Sequence, residues 1–156
     1  LFGFLAFVIY FKMGVSMLSG ALTLAVMILP LILTATQESL KSVPSAYKEG
    51  SFALGAGKLR TIFVVVLPCA LSGILSGVIL GVGRIIGESA ALLYTSGSVA
   101  KVASAVDSGR TLSVHLYALL SEGLYIEQSY ATAVILLFIV VGINLLSNLA
   151  VKKLQK

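Results

Sequence analysis

The stretch at residues 61–83, TIFVVVLPCALSGILSGVILGVG, runs for 23 residues without a charged side chain. About 20 apolar residues, each rising about 1.5 Å in an α-helix, are enough to cross a hydrocarbon core of about 30 Å. Two further windows are free of charge, residues 13–37 over 25 positions and residues 128–151 over 24. Because a helix satisfies its own backbone hydrogen bonds in lipid, these windows predict three membrane-spanning helices.

The composition of the whole chain agrees with these windows. Hydrophobic residues make up 58% of the 156 residues and charged residues 11%. An ordinary soluble domain has about 45–50% apolar and about 25% charged residues, so a soluble globule and a disordered chain are both excluded. The single Cys69 excludes an internal disulfide, and its apolar neighbours predict a buried side chain.

We predict one transmembrane domain over residues 1–156, an all-α, polytopic helix bundle of an integral membrane protein. Residues 1–11 are too few to span and are expected to end a helix that begins before this sequence, which would make the chain the C-terminal portion of a longer protein. The expected segments that follow are a span at 16–36, a loop at 37–61, a span at 62–90, an external segment at 96–129 and a span at 130–151.

Basic residues are distributed unequally between the segments that join the spans. The loop at 37–61 and the C-terminal tail are rich in Lys and Arg, whereas residues 101–127 contain only Lys101 and Arg110. Since Lys and Arg are retained on the cytoplasmic side, we expect this loop and the C-terminus to be cytoplasmic. The net charge of +5 then reflects topology and not binding to nucleic acid. The basic residues behind this orientation are Lys41, Lys48, Lys58, Arg60, Lys152, Lys153 and Lys156.

The cytoplasmic loop is expected to contain a short helix at 46–54. Pro44 ends the preceding helix, Ser45 can cap a new one, and Gly55 suits the left-handed position that closes it. A face of small residues between two bulky ones can dock into a groove of a partner or pack under its own bundle, and helical periodicity favours neither. The residues of this face are Tyr47, Gly50, Ser51 and Leu54.

The same loop resembles a family motif. The sequence has Glu49-Gly50-Ser51, three residues, Gly55, nine residues, then Val65-Val66-Leu67-Pro68. This is similar to the EAA loop of bacterial ABC importer permeases: Glu-Ala-Ala, three residues, Gly, nine residues, Ile-x-Leu-Pro. Gly50 and Ser51 replace Ala, and Val65 replaces Ile. The resemblance implies the type I ABC importer (MetI-like) permease fold and a loop that docks on a partner ATPase. The coupling residues that it implies are Glu49, Gly50, Ser51, Gly55 and Pro68.

No cofactor, metal or nucleotide site is expected in this chain. Gly55-Ala56-Gly57-Lys58 lacks the P-loop pattern, since Phe52 and Leu59 stand where Gly and Ser or Thr are required. His115 has no second His, Cys, Asp or Glu at metal-ligand spacing. We therefore expect a transport subunit that is not an enzyme, and the resemblance assigns ATP hydrolysis to a partner subunit.

Arg84 and Glu88 are the only charged residues within residues 61–100. A charge near the bilayer centre costs about 2.5–3.5 kcal/mol, so such residues usually face a polar pathway or a partner. Their spacing predicts one shared helix face. We expect Arg84 to contact an oxyanion in a translocation pathway while Glu88 holds Arg84; the alternative is an ion pair that locks two helices together. On the same helix, the stripe of Gly73, Gly77 and Gly81 predicts close helix packing.

The run at 83–95, GRIIGESAALLYT, is similar to the Gly-Arg-x-x-Gly-Glu-Thr-Ala-Pro-Leu-Leu run of phosphate importer permeases, with Ser89 for Thr and Ala91 for Pro. The resemblance implies a multi-pass subunit in a bacterial cytoplasmic (inner) membrane that moves phosphate inward. It also implies ABC ATPase subunits, a second related permease in a heterodimer, and an extracytoplasmic phosphate-binding protein, with membrane lipid around the bundle.

Other functions remain open from the sequence. The chain could be the second type of phosphate permease, or serve an importer of molybdate, sulfate or an organic solute, because the loop motif is common to all of these. A channel or secondary transporter would need no ATPase. An intramembrane enzyme lacks support, since no catalytic constellation lies at membrane depth.

Overall fold

The computed structural model describes residues 1–123 and 125–154. Every regular element in this part of the chain is helical, which confirms the all-α prediction. The elements in order are a π-helical segment Phe4–Tyr10, α1 Met17–Lys41, α2 Ser45–Ala53, α3 Lys58–Thr61, a second π-helical segment Ile62–Val66, α4 Leu67–Gly87, α5 Ala90–Thr95, α6 Leu112–Glu122 and α7 Ile126–Leu154.

Three stretches are long and apolar enough to cross a membrane: Met17–Lys41, Lys58–Gly87 and Ile126–Leu149. The second stretch joins α3 and α4 through the π-helical segment Ile62–Val66 into one helix of 30 residues. Helix α1 continues to Lys41, beyond the expected end at residue 36, because no Gly or Pro interrupts residues 37–41. Of the basic tail residues used to predict the orientation, Lys156 lies outside the described residues.

The first of two compact units contains Leu1–Ile28 and Gly83–Asn144. Its apolar centre is formed by Leu24, Leu92 and Val114, all buried. The first N–H groups of α1, at Met17 and Leu18, need acceptors from outside the helix. Loop carbonyls supply these acceptors: Met17 donates to Asp107 O at 2.9 Å and Leu18 to Ala105 O at 2.9 Å.

Helix α6 belongs to the same unit and is closed at both ends by local signals. Thr111 precedes it, and the Thr111 side chain accepts a hydrogen bond from the backbone of Val114 at 3.4 Å. Gly123 ends it in the left-handed conformation, with φ of 67°. Buried Val114 and Leu119 direct one face of α6 toward the protein, and Tyr117 is exposed.

The second unit contains Leu29–Val82 and the C-terminal part of α7. Its apolar centre consists of Val43, Val66 and Ala70, against which Leu40 and Ile74 pack. These residues join the end of α1 to the start of α4 beneath the loop that carries α2.

Glycines on α4 meet α1 within this second unit. A Cβ atom built on Gly77 would overlap the Cβ of Ala35, and one built on Gly73 would lie 2.9 Å from the Cβ of Ser39. The two helices therefore pack so closely at Gly73 and Gly77 that a larger residue at either position would clash with α1. Gly81, the next residue of the stripe, is buried.

Two local predictions are wrong. Helix α2 begins at Ser45 with Pro44 as its N-cap and no side-chain cap bond, because the extended Pro44, with ψ of 137°, already supplies the first carbonyl acceptor. Cys69 is exposed. The neighbouring Ala70 is buried, and successive residues on a helix point about 100° apart, so the side chain of Cys69 is turned away from that contact.

Candidate functional site

Helix α2 and the turn after it form an exposed apolar surface. No residue of α2 is buried. Tyr47 and Phe52 are 55% and 47% exposed, and Leu54 just beyond the helix is 90% exposed. Exposed apolar side chains grouped on one short loop are candidates for contact with another protein. We call Tyr47, Phe52, Leu54, Leu59 and Phe63 the loop surface; all five are exposed.

The end of α2 is fixed by a Schellman motif. Gly55 adopts φ of 80°, and its N–H donates to Phe52 O at 2.9 Å. The N–H of Ala56 donates to Ser51 O at 3.1 Å. This pair of bonds satisfies the last carbonyls of the helix and requires a residue that tolerates positive φ. Gly55 therefore sets the direction in which the chain leaves α2.

The other residues of the coupling motif lie on either side of this turn. Glu49 and Gly50 are exposed on α2, and a Cβ built on Gly50 would meet nothing within 4 Å. Ser51 is half-buried and contacts Thr61. Pro68 lies exposed in the first turn of α4, directly after the π-helical segment. Because Pro has no N–H and its ring crowds the preceding turn, it accounts for a local departure from α-helical bonding there.

The structure breaks the helix between Arg84 and Glu88. Helix α4 ends at Gly87, and α5 begins at Ala90. The carboxylate of Glu88 turns to the next helix, where its Oε1 accepts the N–H of Ala91 at 3.3 Å. The expected single helix face shared by Arg84 and Glu88 is therefore wrong, because Glu88 lies beyond the last helical residue.

No ion pair joins Arg84 to Glu88. Among the side chains that the structure describes, at residues 1–123, 125–149 and 151, the only ion pair within 4.0 Å is Lys101 with Asp107, at 3.7 Å. Arg84 is exposed in the last turn of α4, where a cation is favoured by the helix dipole. Its guanidinium donors are thus available to an anion or to another subunit.

A cavity of about 250 Å³ lies beside the break. Its lining is mainly apolar, with Leu24, Ile85 and Leu136 among its walls and Arg84 absent from them. This cavity is unsuited to an oxyanion, since its lining is mainly apolar and carries no cationic side chain to replace water around the charge.

Ser113 is a residue of this site that the sequence interpretation missed. It is 6% exposed, and its hydroxyl donates to the backbone carbonyl of Glu88 at 2.9 Å. The bond ties α6 to the break after α4. No local sequence signal reports this contact, because Ser113 and Glu88 are 25 residues apart.

Arg110 and His115 form a second polar contact near α6. Arg110 donates through Nε to Ser98 O at 2.6 Å, and its Nη1 lies 3.0 Å from Nδ1 of His115. His115 is half-buried rather than a free surface side chain. The pair ties the segment after α5 to α6.

Comparison with known proteins places the chain in a family. All residues, 1–156, match the family described as "Binding-protein-dependent transport system inner membrane component". The chain is 42% identical over 97 residues to the "Probable ABC transporter permease protein YqgI" of Bacillus subtilis (strain 168), covering 62% of this chain and 33% of that protein. No solved structure matches the chain.

Relatives named as phosphate permeases are similar to it as well. The "Probable phosphate transport system permease protein PstA" of Methanocaldococcus jannaschii is 41% identical over 87 residues, covering 56% of this chain and 31% of that protein. The "Phosphate transport system permease protein PstA" of Mycobacterium leprae (strain TN) is 35% identical over 129 residues, covering 80% of this chain and 42% of that protein. The aligned parts span less than half the length of each of these relatives. With its all-α membrane fold and its full-length family match, the chain belongs to the MetI-like inner-membrane permease family of binding-protein-dependent ABC importers.

Proposed function

We propose that this chain is a PstA-type permease subunit of an ABC importer for inorganic phosphate. The observation that carries the proposal is the exposed Arg84, which has no ion-pair partner among the described residues and sits at the helix break of the GRIIGE run. An Arg fork matches the geometry of an oxyanion, and its placement on a membrane helix is expensive unless it serves a pathway or a partner. The relatives named PstA support phosphate as the solute.

In this proposal Arg84 and Glu88 line the translocation pathway and have different tasks. Arg84 offers paired N–H donors to the passing phosphate. Glu88 is engaged with the backbone of α5 and places one negative charge near the path. Weak and exchangeable binding is what transport requires, and a single cation with an acid nearby gives less retention than a cluster of cations.

The loop surface is the proposed contact with an ABC ATPase subunit. Its exposed apolar side chains need a partner to cover them, and α2 is short and rigidly closed by Gly55. Glu49 and Gly50 lie on this helix, and Pro68 at the other end of the loop. The basic residues of the loop support a cytoplasmic position for the loop and the C-terminus, on the side where ATP is available. ATP hydrolysis is then the work of the partner subunit.

The remaining partners follow from the same proposal. A second related permease, of the PstC type, completes a heterodimer, and a phosphate-binding protein docks on the external segment at 96–129. The alternatives to this proposal are the PstC-type position for this chain and sulfate or molybdate as the solute.

Reconstitution of the complete importer tests the proposal. The full-length permease, its partner permease, ATPase subunits and binding protein are placed in proteoliposomes, and ATP hydrolysis is measured with phosphate, sulfate or molybdate. We expect phosphate alone to stimulate hydrolysis and to accumulate inside. Stimulation by sulfate or molybdate without a response to phosphate would reject the phosphate assignment.

A further inference from the structure

The loop that carries α2 is joined to the membrane helix by one pair of hydroxyl groups. Ser51 Oγ on α2 and Thr61 Oγ1 at the end of α3 lie 2.9 Å apart. Thr61 is 2% exposed. Within the part of the chain that the structure describes, no other side-chain hydrogen bond connects α2 to α3 or α4.

The direction of each hydrogen bond follows from the number of protons. Thr61 Oγ1 donates to Gly57 O at 3.2 Å, which uses the one hydroxyl proton of Thr61. In the pair with Ser51, Thr61 is therefore the acceptor and Ser51 the donor. The result is a relay from Ser51 through Thr61 to Gly57.

This relay closes a turn that is otherwise made by backbone alone. The Schellman motif at Gly55 ends α2, and α3 begins after Gly57. A Cβ built on Gly55 or on Gly57 would meet nothing within 4 Å, so the turn is open around both glycines. The hydroxyl relay adds a directional side-chain bond between α2 and the helix Lys58–Gly87.

We propose that Ser51 and Thr61 form a clasp that holds α2 at a fixed angle to the membrane helix, and that Ser51 is thereby a positioning residue for coupling. The proposal rests on the function proposed above, in which α2 contacts the ATPase. At position 51 the EAA motif has Ala, which cannot donate a hydrogen bond. The clasp is therefore a property of this chain, and it stiffens a joint that transmits movement from the ATPase to the membrane.

Four variants of the complete reconstituted importer test the clasp. S51A removes the donor and T61V the acceptor, and S51A/T61V removes both. T61S keeps the hydroxyl. S42A is the matched control, since Ser42 is an exposed serine of the same loop whose hydroxyl bonds only Ser39 O, at 2.8 Å. The measured quantity is the number of phosphate ions taken up per ATP hydrolysed, with co-purification of the ATPase as the measure of assembly.

We expect S51A and T61V each to lower uptake per ATP by between about twofold and about tenfold, the range that one hydrogen bond supplies. The double variant should lose no more than either single variant, T61S and S42A should behave as wild type, and ATPase co-purification should stay constant. The proposal would be overturned if S51A took up as much phosphate per ATP as S42A does. It would also be overturned if the fold-loss in the double variant equalled the product of the fold-losses in S51A and T61V. If only sulfate or molybdate stimulates ATP hydrolysis by the wild-type importer, the phosphate assignment is refuted. Uptake per ATP in the clasp variants is then measured with that anion.

Discussion

The hydroxyl of Ser113 donates a 2.9 Å hydrogen bond to the backbone carbonyl of Glu88, one residue after α4 has ended at Gly87. A carbonyl at a helix break has lost its partner in the helix and needs a donor from elsewhere. Ser113 supplies the missing donor from α6. The break beside Arg84 is therefore held by a residue 25 positions away in sequence.

Replacement of Ser113 by Ala should destabilise the permease. The variant leaves the Glu88 carbonyl without its donor, at a cost of about 1–3 kcal/mol. Thermal unfolding of the purified complex measures the loss. S121A is the control, because the exposed Ser121 bonds only Tyr117 O within its own helix, at 2.8 Å. Equal melting temperatures for S113A and S121A would contradict the assigned role.

Replacement of Gly77 by Ala should disturb the contact between α4 and α1. The new methyl group would overlap Ala35, and overpacking of this kind costs about 1–3 kcal/mol. The control is G142A on α7, where nothing lies within 4 Å of the built Cβ. Thermal stability and yield of the complex should fall in G77A and stay unchanged in G142A. A stable G77A complex would show that the two helices can separate without penalty.

Replacement of Gly55 by Ala should impair coupling through the turn after α2. An L-residue at φ of 80° is strained by about 1 kcal/mol, so the Schellman motif weakens and α2 loses its fixed exit. Gly57, with φ of −71°, accepts Ala without strain and gives the control G57A in the same loop. ATPase co-purification and stimulated ATP hydrolysis should decrease in G55A alone. If G57A causes the same decrease, the positive φ is not the reason.

The sequence predicted the membrane helices well because their signal is a simple one. Charge-free windows can be counted along the chain. A window that lies in lipid must be helical, because its backbone polar groups have no water to bond. The Schellman glycine at position 55 was also readable, since a left-handed residue after a short helix is a local requirement.

The helix break at Gly87 was not readable, and the site depends on it. Gly87 and Ser89 are compatible with a continuing helix, and the break is stabilised by the distant Ser113. A continuous helix was the reason for pairing Arg84 with Glu88 on one face. The contact between Ser51 and Thr61 was also missed. It joins two helices across a turn, and local sequence signals do not report such a contact.

Replacement of Arg84 by Ala tests the central claim most directly. In the complete reconstituted importer, loss of a charge-assisted, paired hydrogen bond to phosphate is worth about 1.5–3 kcal/mol, so phosphate uptake should fall by at least about tenfold. Co-purification of the ATPase and the partner permease should remain at the wild-type level. K12Q removes one positive charge from the exposed Lys12, which lies outside the loop at 37–61 and the segment at 96–129, and should leave uptake unchanged. Uptake of phosphate at the wild-type rate by an assembled R84A importer would contradict the account.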